Sequence, residues 1–208
     1  MRPESRARNG AKVRQRCERV RWTRAVLGLL VLLASLVSAA GIAAQSTAPV
    51  EYQLKANFLA QFPNFTEWPD GAFSSPHTNF LICVYGDFSF GTALAEATRS
   101  ESFHNRKMEV RWVRKAAELR ACQIVFVSRS EAHRYGKVLA DVAGEEILTV
   151  GETCDFLALG GAVCMSFENE GLQFEVNLAA LNGARLKMSS RLLTLARRVL
   201  HSPEAAKS

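Results

Sequence analysis

Of the 208 residues, 26 are Lys or Arg and 20 are Asp or Glu, a formal net charge of +6. That excess sits at one end: residues 1–24 hold nine Lys/Arg against Glu4 and Glu18, a net +7, so residues 25–208 together carry −1. A basic charge confined to one terminus argues against nucleic-acid binding, which needs a basic face on the folded domain itself.

The basic segment runs into "AVLGLLVLLASLVSAAGIAA", residues 25–44, uncharged and most apolar from Val26 to Val37. A basic start, a short apolar core and a run of small residues is the plan of a secretory signal peptide. Twenty uncharged residues also just reach across a bilayer as an uncleaved anchor. The small residues Ser38, Ala39, Ala40, Gly41, Ala43 and Ala44 favour cleavage between Ala40 and Ala44. The expected organisation is a leader over 1–44 and one exported, periplasmic domain over 45–208, long enough to bury a core.

Within that domain, "VEYQLKANFLAQFPNFTEW" (50–68) sets Tyr52, Leu54, Phe58, Leu59, Phe62 and Phe65 at mostly helical spacing, with Pro63 expected to kink or break the helix. "WPDGAFSSPH" reads as a turn, and "NFLICVYG" as a buried strand. A short helix over "FGTALAEATRS" and a strand with one wet face over "RKMEVRWVR" (106–114) follow. "ACQIVFVS" is the most apolar strand and should be central. "SEAHRYGKVLADVAG" predicts a helix capped by Ser130 and stopped at Gly144.

"EILTVGE" is a further strand, "CDFLALGG" a turn or short helix, and "AVCMSFENEGLQFEVNL" a hairpin about Asn-Glu-Gly. In "SSRLLTLARRVLHS" the stripe Leu192, Leu195, Ala196, Val199 predicts a closing helix capped by Ser189 or Ser190. Alternating helices and strands followed by a hairpin predict an α/β fold. It has a mostly parallel sheet flanked by helices, with an antiparallel hairpin at one edge.

Cys17 leaves with the leader, so the exported domain keeps Cys83, Cys122, Cys154 and Cys164. No C-x2-C pair exists for zinc, and no C-x-x-C for a redox couple. Four cysteines in an exported domain read as two disulfides, with three possible connectivities. Strand positions for Cys83 and Cys122, and the local spacing of Cys154 and Cys164, favour Cys83–Cys122 and Cys154–Cys164.

Candidates for chemistry are few. His77, His104, His133 and His201 have no partner at ligand spacing and read as surface residues. Glu168, Glu170 and Glu175 surround the hairpin bend and read as a solvated turn rather than an acid–base pair. Trp68 before Pro69 is a possible stacking platform, but a plug at the core edge is the expected role. Gly160-Gly161 enters a strand, the wrong context for a dinucleotide loop. No catalytic residue, cofactor or metal is expected.

The order of "YQLKANFLAQFPNFTEWP", "ICVYG", "CQIVFVS", "LTVGE", "GGAVCMSFENEGLQFEVNLAAL" and "LKMSSRLLTLARRV" resembles the YfiR family of periplasmic regulators over residues 51–200. The resemblance rests jointly on several motifs. They are Phe65-x-x-Trp68-Pro69, Cys83 and Cys122, Gly160-Gly161, Phe174 to Asn177 and the Ser189 to Ala196 segment. It implies a non-enzymatic repressor that binds the periplasmic part of an inner-membrane diguanylate cyclase and so restrains cyclic-di-GMP and biofilm formation. It also implies sequestration by an outer-membrane lipoprotein, a homodimer, and disulfides that make repression sensitive to redox state. The alternative from the fold class alone is a periplasmic small-molecule binding module, since open α/β sheets bind ligands at strand carboxyl ends.

Overall fold

The computed structural model describes residues 49–75, 77–168 and 171–201. The expected leader over 1–44 and the bend residue Glu170 lie outside them. Among the described residues, ten strands, six short α-helices and several 3-10 turns follow one another. The first helix, α1 (Val50–Gln61), gives way at Pro63 to a 3-10 turn over Phe62–Phe65, because proline cannot donate the next intrahelical bond. Strand β1 (Thr66–Glu67) and, much later, β9 (Lys187–Met188) pair antiparallel, tying the two ends of the domain together.

The main sheet has eight strands in the order β10-β8-β7-β6-β5-β2-β4-β3. Its centre is β2 (Phe80–Tyr85), β5 (Ile124–Val127) and β6 (Leu148–Gly151), buried along their whole length. They read as continuous apolar runs because a parallel sheet is covered on both faces. Beside them β4 (Arg106–Val113) and β7 (Val163–Glu168) run the same way, and β3 (Ser102–Phe103) turns back on β4. The hairpin of β7 with β8 (Gly171–Asn177) supplies the antiparallel pair, in register Glu168↔Gly171 through Val163↔Val176.

Side chains alternate between two cores. Ile82, Val84, Ile124, Phe126 and Val150 face α1, α2 (Phe88–Ala97) and α5 (Leu178–Gly183); Leu81, Cys83, Val125 and Val127 face Tyr135 and Val138 of α3 (Tyr135–Asp141). Cys83 bonds to Cys122 in the second core (Cα–Cα 5.9 Å), and Cys154 bonds to Cys164 (Cα–Cα 5.2 Å) beside α4 (Asp155–Ala158).

Three expectations are corrected. The closing helix is one turn only, α6 (Ser190–Leu193), with Ser189 Oγ accepting from Leu192 N–H. Beyond it, Arg198–Leu200 forms β10, parallel to β8 outside the hairpin, and Leu195 is exposed. The helical stripe was real but weaker than pairing with the free edge of β8, where Arg198 also meets Glu175 at 2.7 Å.

Next, the segment expected to begin at Ser130 opens as a 3-10 turn over Arg129–Arg134, and regular helix starts only at Tyr135. Ser130 does not cap it; its hydroxyl is 2.6 Å from that of Ser128. Finally, on α1 it is Lys55, not Leu54, that is buried.

Candidate functional site

In the parallel part of the sheet, the connection leaving β2 leads to β4 on one side. The connection leaving β5, the neighbour of β2, leads to β6 on the other. Such a switch leaves a crevice at the strand carboxyl ends, where open α/β sheets present their functional groups. Here that rim carries Gly86 and Asp87 after β2, Ser128 and Arg129 after β5, and Glu152 after β6. Gly86 has φ +116°, and a Cβ on it would stand 2.0 Å from Ser128 Oγ. Only glycine lets these two strand ends approach, and Ser128 Oγ then accepts from Asp87 N–H at 3.0 Å.

Helix α1 lays a polar face over this crevice. Lys55 is fully buried, and its Nζ donates to Glu152 Oε1 at 2.7 Å and also pairs with Glu51. The other carboxylate oxygen of Glu152, itself 2% exposed, accepts from Arg129 N–H at 2.7 Å. One turn back, Tyr52 donates its hydroxyl to Asp87 Oδ2 at 3.2 Å, while Asp87 Oδ1 accepts from Ser89 and Phe90 N–H to cap α2. Burial, with the charges of Glu152 and Asp87 next, pushes the Tyr52 phenol well above its ordinary pKa. It therefore stays a donor. Every member of this cluster has internal partners, as buried charges require.

The neighbouring corner, at the ends of β2 and β4, is built differently. The β4 face that begins buried at Met108 emerges at Trp112, which stacks on Phe88 with ring centroids 5.3 Å apart. Both rings are exposed, Phe88 at 69% and Trp112 at 41%. Gly91 makes room for the indole, since a Cβ there would lie 2.1 Å from Trp112 Nε1. A glycine inside a helix is unfavourable by about 1 kcal/mol against alanine. The aromatic pair borders a cavity of about 330 Å³ lined also by Tyr85, Arg114, Glu131 and Arg134. Arg134 donates to the Tyr85 hydroxyl at 3.0 Å and lies 3.5 Å from Glu131 Oε2, which accepts no hydrogen bond.

Of the residues singled out by sequence, Cys154 lies two residues beyond Glu152 and His133 lies in the Arg129–Arg134 turn, but none supplies a contact of the Lys55–Glu152 cluster. His77, His104, His133 and His201 are exposed, His104 stacking on Phe103 at 4.1 Å. Among the described residues no group of three or more His, Cys, Asp or Glu is placed to hold a metal ion. Glu168 pairs with Arg197 at 2.9 Å, whereas Glu175 is buried against Arg198, which corrects its reading as part of a solvated turn. Trp68 is half-buried, edge-on to Phe80 and Phe103, with its indole N–H on the Glu146 carbonyl. It also lines a second cavity of about 610 Å³ with Phe65, Phe73, Phe103 and Arg106.

Sequence reasoning missed Lys55, Asp87 and Glu152. The signal was present: Tyr52, Lys55, Leu59 and Phe62 share one helical face, and a lysine on that face needs a buried acid to meet it.

A family model described as YfiR/HmsC-like matches residues 52–197. The chain belongs to the YfiR/HmsC-like family. Among solved structures it is similar to a conserved domain protein from Vibrio cholerae, with a TM-score of 0.49 and 9% identity over 71% of this chain. It is also similar to an ABC domain from Streptococcus pneumonia in complex with L-Trp, with a TM-score of 0.48 and 10% identity over 72%. The chain spans 60% of each of those two chains. Both disulfides, the exposed aromatic corner and the switch-point cluster apart from Glu51 lie within the residues the family match covers. Among the described residues no helix is long and apolar enough to cross a membrane.

Proposed function

We propose that this YfiR/HmsC-like protein is an exported regulator that holds the periplasmic part of a membrane-bound diguanylate cyclase in its inactive state and turns over no substrate. The observation that carries the reading is the family match over 52–197, nearly all of the expected exported domain. Two disulfides and the leader-like sequence of residues 1–44 support an oxidising compartment outside the cytoplasm. Sequestration by an outer-membrane lipoprotein and assembly as a homodimer belong to the same proposal.

The physical requirement is differential affinity. A protein that bound both states of the cyclase equally would shift nothing. A coupling of about 1–3 kcal/mol changes output by roughly 5- to 150-fold. Deleting the gene should therefore raise cyclic-di-GMP within that range, and removing the cyclase gene as well should abolish the rise. The measurement is nucleotide level in the two strains.

Unchanged nucleotide in the single deletion would sink the regulator reading. It would leave a periplasmic small-molecule binder in its place, favoured by the 610 Å³ cavity walled by Phe65, Trp68, Phe73 and Phe103.

A further inference from the structure

Phe88 and Trp112 are two large aromatics that the fold could have buried and did not. They form one contiguous apolar patch, held in place by Gly91 beneath the indole. Beside them the charge is basic. Arg134 is engaged by Glu131 and Tyr85, but Arg114 and Lys115 are exposed, with no ion pair among the described residues. Of the acidic neighbours, Asp87 is committed to the α2 cap and Tyr52, while Glu131 lies 3.5 Å from Arg134 as the one carboxylate among the described residues lining the cavity. Aromatic rings with arginine at their margin are the composition that protein interfaces concentrate at their energetic centres. The open cavity of about 330 Å³ beside the rings has Val84, Tyr85 and Val113 in its wall, with Arg114, Glu131 and Arg134 also lining it.

We propose that this corner docks a protein segment presenting an aromatic or aliphatic anchor flanked by carboxylates. The proposal rests on the regulator reading, in which that segment belongs to the periplasmic part of the cyclase. The anchor enters between Tyr85 and the Phe88–Trp112 pair. The carboxylates meet Arg114 and Lys115, charges for which the domain supplies no partner among its described residues.

The test uses the exported protein, whose only tryptophans after loss of the leader are Trp68 and Trp112. It is titrated with the purified periplasmic domain of a membrane diguanylate cyclase from the same organism, following tryptophan fluorescence and heat. The double variant Phe88→Ser/Arg114→Glu should bind at least about 30-fold more weakly, the size of a hot-spot loss. Leu195→Ser, at an equally exposed residue elsewhere, should bind as the wild type does.

Because Phe88 and Arg114 are exposed, both variants should keep the wild-type far-ultraviolet spectrum and denaturation midpoint. Wild-type affinity in the double variant overturns this docking surface and leaves the regulator reading standing. No binding by the wild type, with cyclic-di-GMP unchanged on deletion, overturns both. No binding with cyclic-di-GMP raised overturns the direct contact alone. Binding of the wild type to anionic phosphatidylglycerol vesicles, lost in the double variant while the cyclase titration is unaffected, reassigns the corner to a lipid surface and overturns the proposal.

Discussion

The carboxyl-terminal rim of the sheet has two halves that solve opposite problems. Around β5 and β6, Lys55 and Glu152 are removed from water and each is satisfied within the domain. Around β2 and β4, the side chains of Phe88, Trp112, Arg114 and Lys115 stay in water. The first half is closed: its groups have nothing left to offer a partner. The second is open, and its groups have little to do within the chain. Tight internal pairing marks the half that holds the domain together, and leftover valence marks the half available for recognition.

The sharpest way to break that contrast is to empty one side of the closed half. Lys55→Met leaves Glu152 Oε1 without a donor at a site nearly sealed from solvent. Breaking a buried ion pair from one side costs about 3–5 kcal/mol. Replacing both partners, as Lys55→Met/Glu152→Gln, should recover a large part of that cost, because the buried carboxylate then goes with its cation and the one left unpaired, Glu51, is a third exposed to water. Arg114→Ala in the open half should change stability by less than about 0.5 kcal/mol. Urea denaturation of the three variants measures all of these, and a Lys55→Met cost no larger than that of Arg114→Ala would remove the distinction between the halves.

The disulfides sharpen the comparison. Cys154 lies two residues beyond Glu152 and joins Cys164, whose backbone pairs with Gly151, so this bridge fastens the closed half. Cys83–Cys122 sits in the core on the opposite face of the sheet. From loops of 39 and 10 residues, chain entropy gives roughly 4 kcal/mol for Cys83–Cys122 and 3 kcal/mol for Cys154–Cys164. The double Cys→Ser variants should follow that order in denaturation midpoint.

Only the Cys154–Cys164 variant should couple to Lys55→Met, by about 0.5 kcal/mol or more in a double-mutant cycle, since it alone loosens the segment that carries Glu152. Equal coupling for both bridges would mean that the closed half is not a local unit. Peptide mapping of unreduced protein checks the pairing itself, and Cys83 linked to Cys154 or Cys164 would reject it.

Much of the fold was legible in the sequence because its signals were one-dimensional. Continuous apolar runs marked β2, β5 and β6, Pro63 marked the end of α1, and the Asn-Glu-Gly bend marked the hairpin. What stayed hidden depended on the third dimension. Arg198–Leu200 carries helical spacing, and only the unpaired edge of β8 makes it a strand. Lys55 and Glu152 are 97 residues apart in sequence, so neither looked like half of a pair. Trp112 sits in the strand alternation like Met108 and Val110. Its exposure follows from where α2 ends its cover, which no local pattern records.

A further, modest effect is expected at the seam between the halves. Tyr52 reaches from the closed cluster to Asp87, whose other oxygen caps the helix that begins at Phe88. Its phenol is held above its ordinary pKa, by burial first and then by Glu152 and Asp87. In the unfolded chain the same group ionises near pH 10. Above about pH 10 the unfolded state therefore binds fewer protons than the folded one, and stability falls as pH rises. At neutral pH neither state is ionised, and Tyr52→Phe loses only the hydrogen bond to Asp87, about 1 kcal/mol. In the alkaline range the variant lacks the titrating group, so its stability should fall less steeply than that of the wild type and the two curves should converge. Urea midpoints at pH 7, 9 and 10.5 measure the difference directly. Curves that stay parallel across that range would mean that Tyr52 ionises alike in both states, and that the seam is wetter than its hydrogen bonds imply.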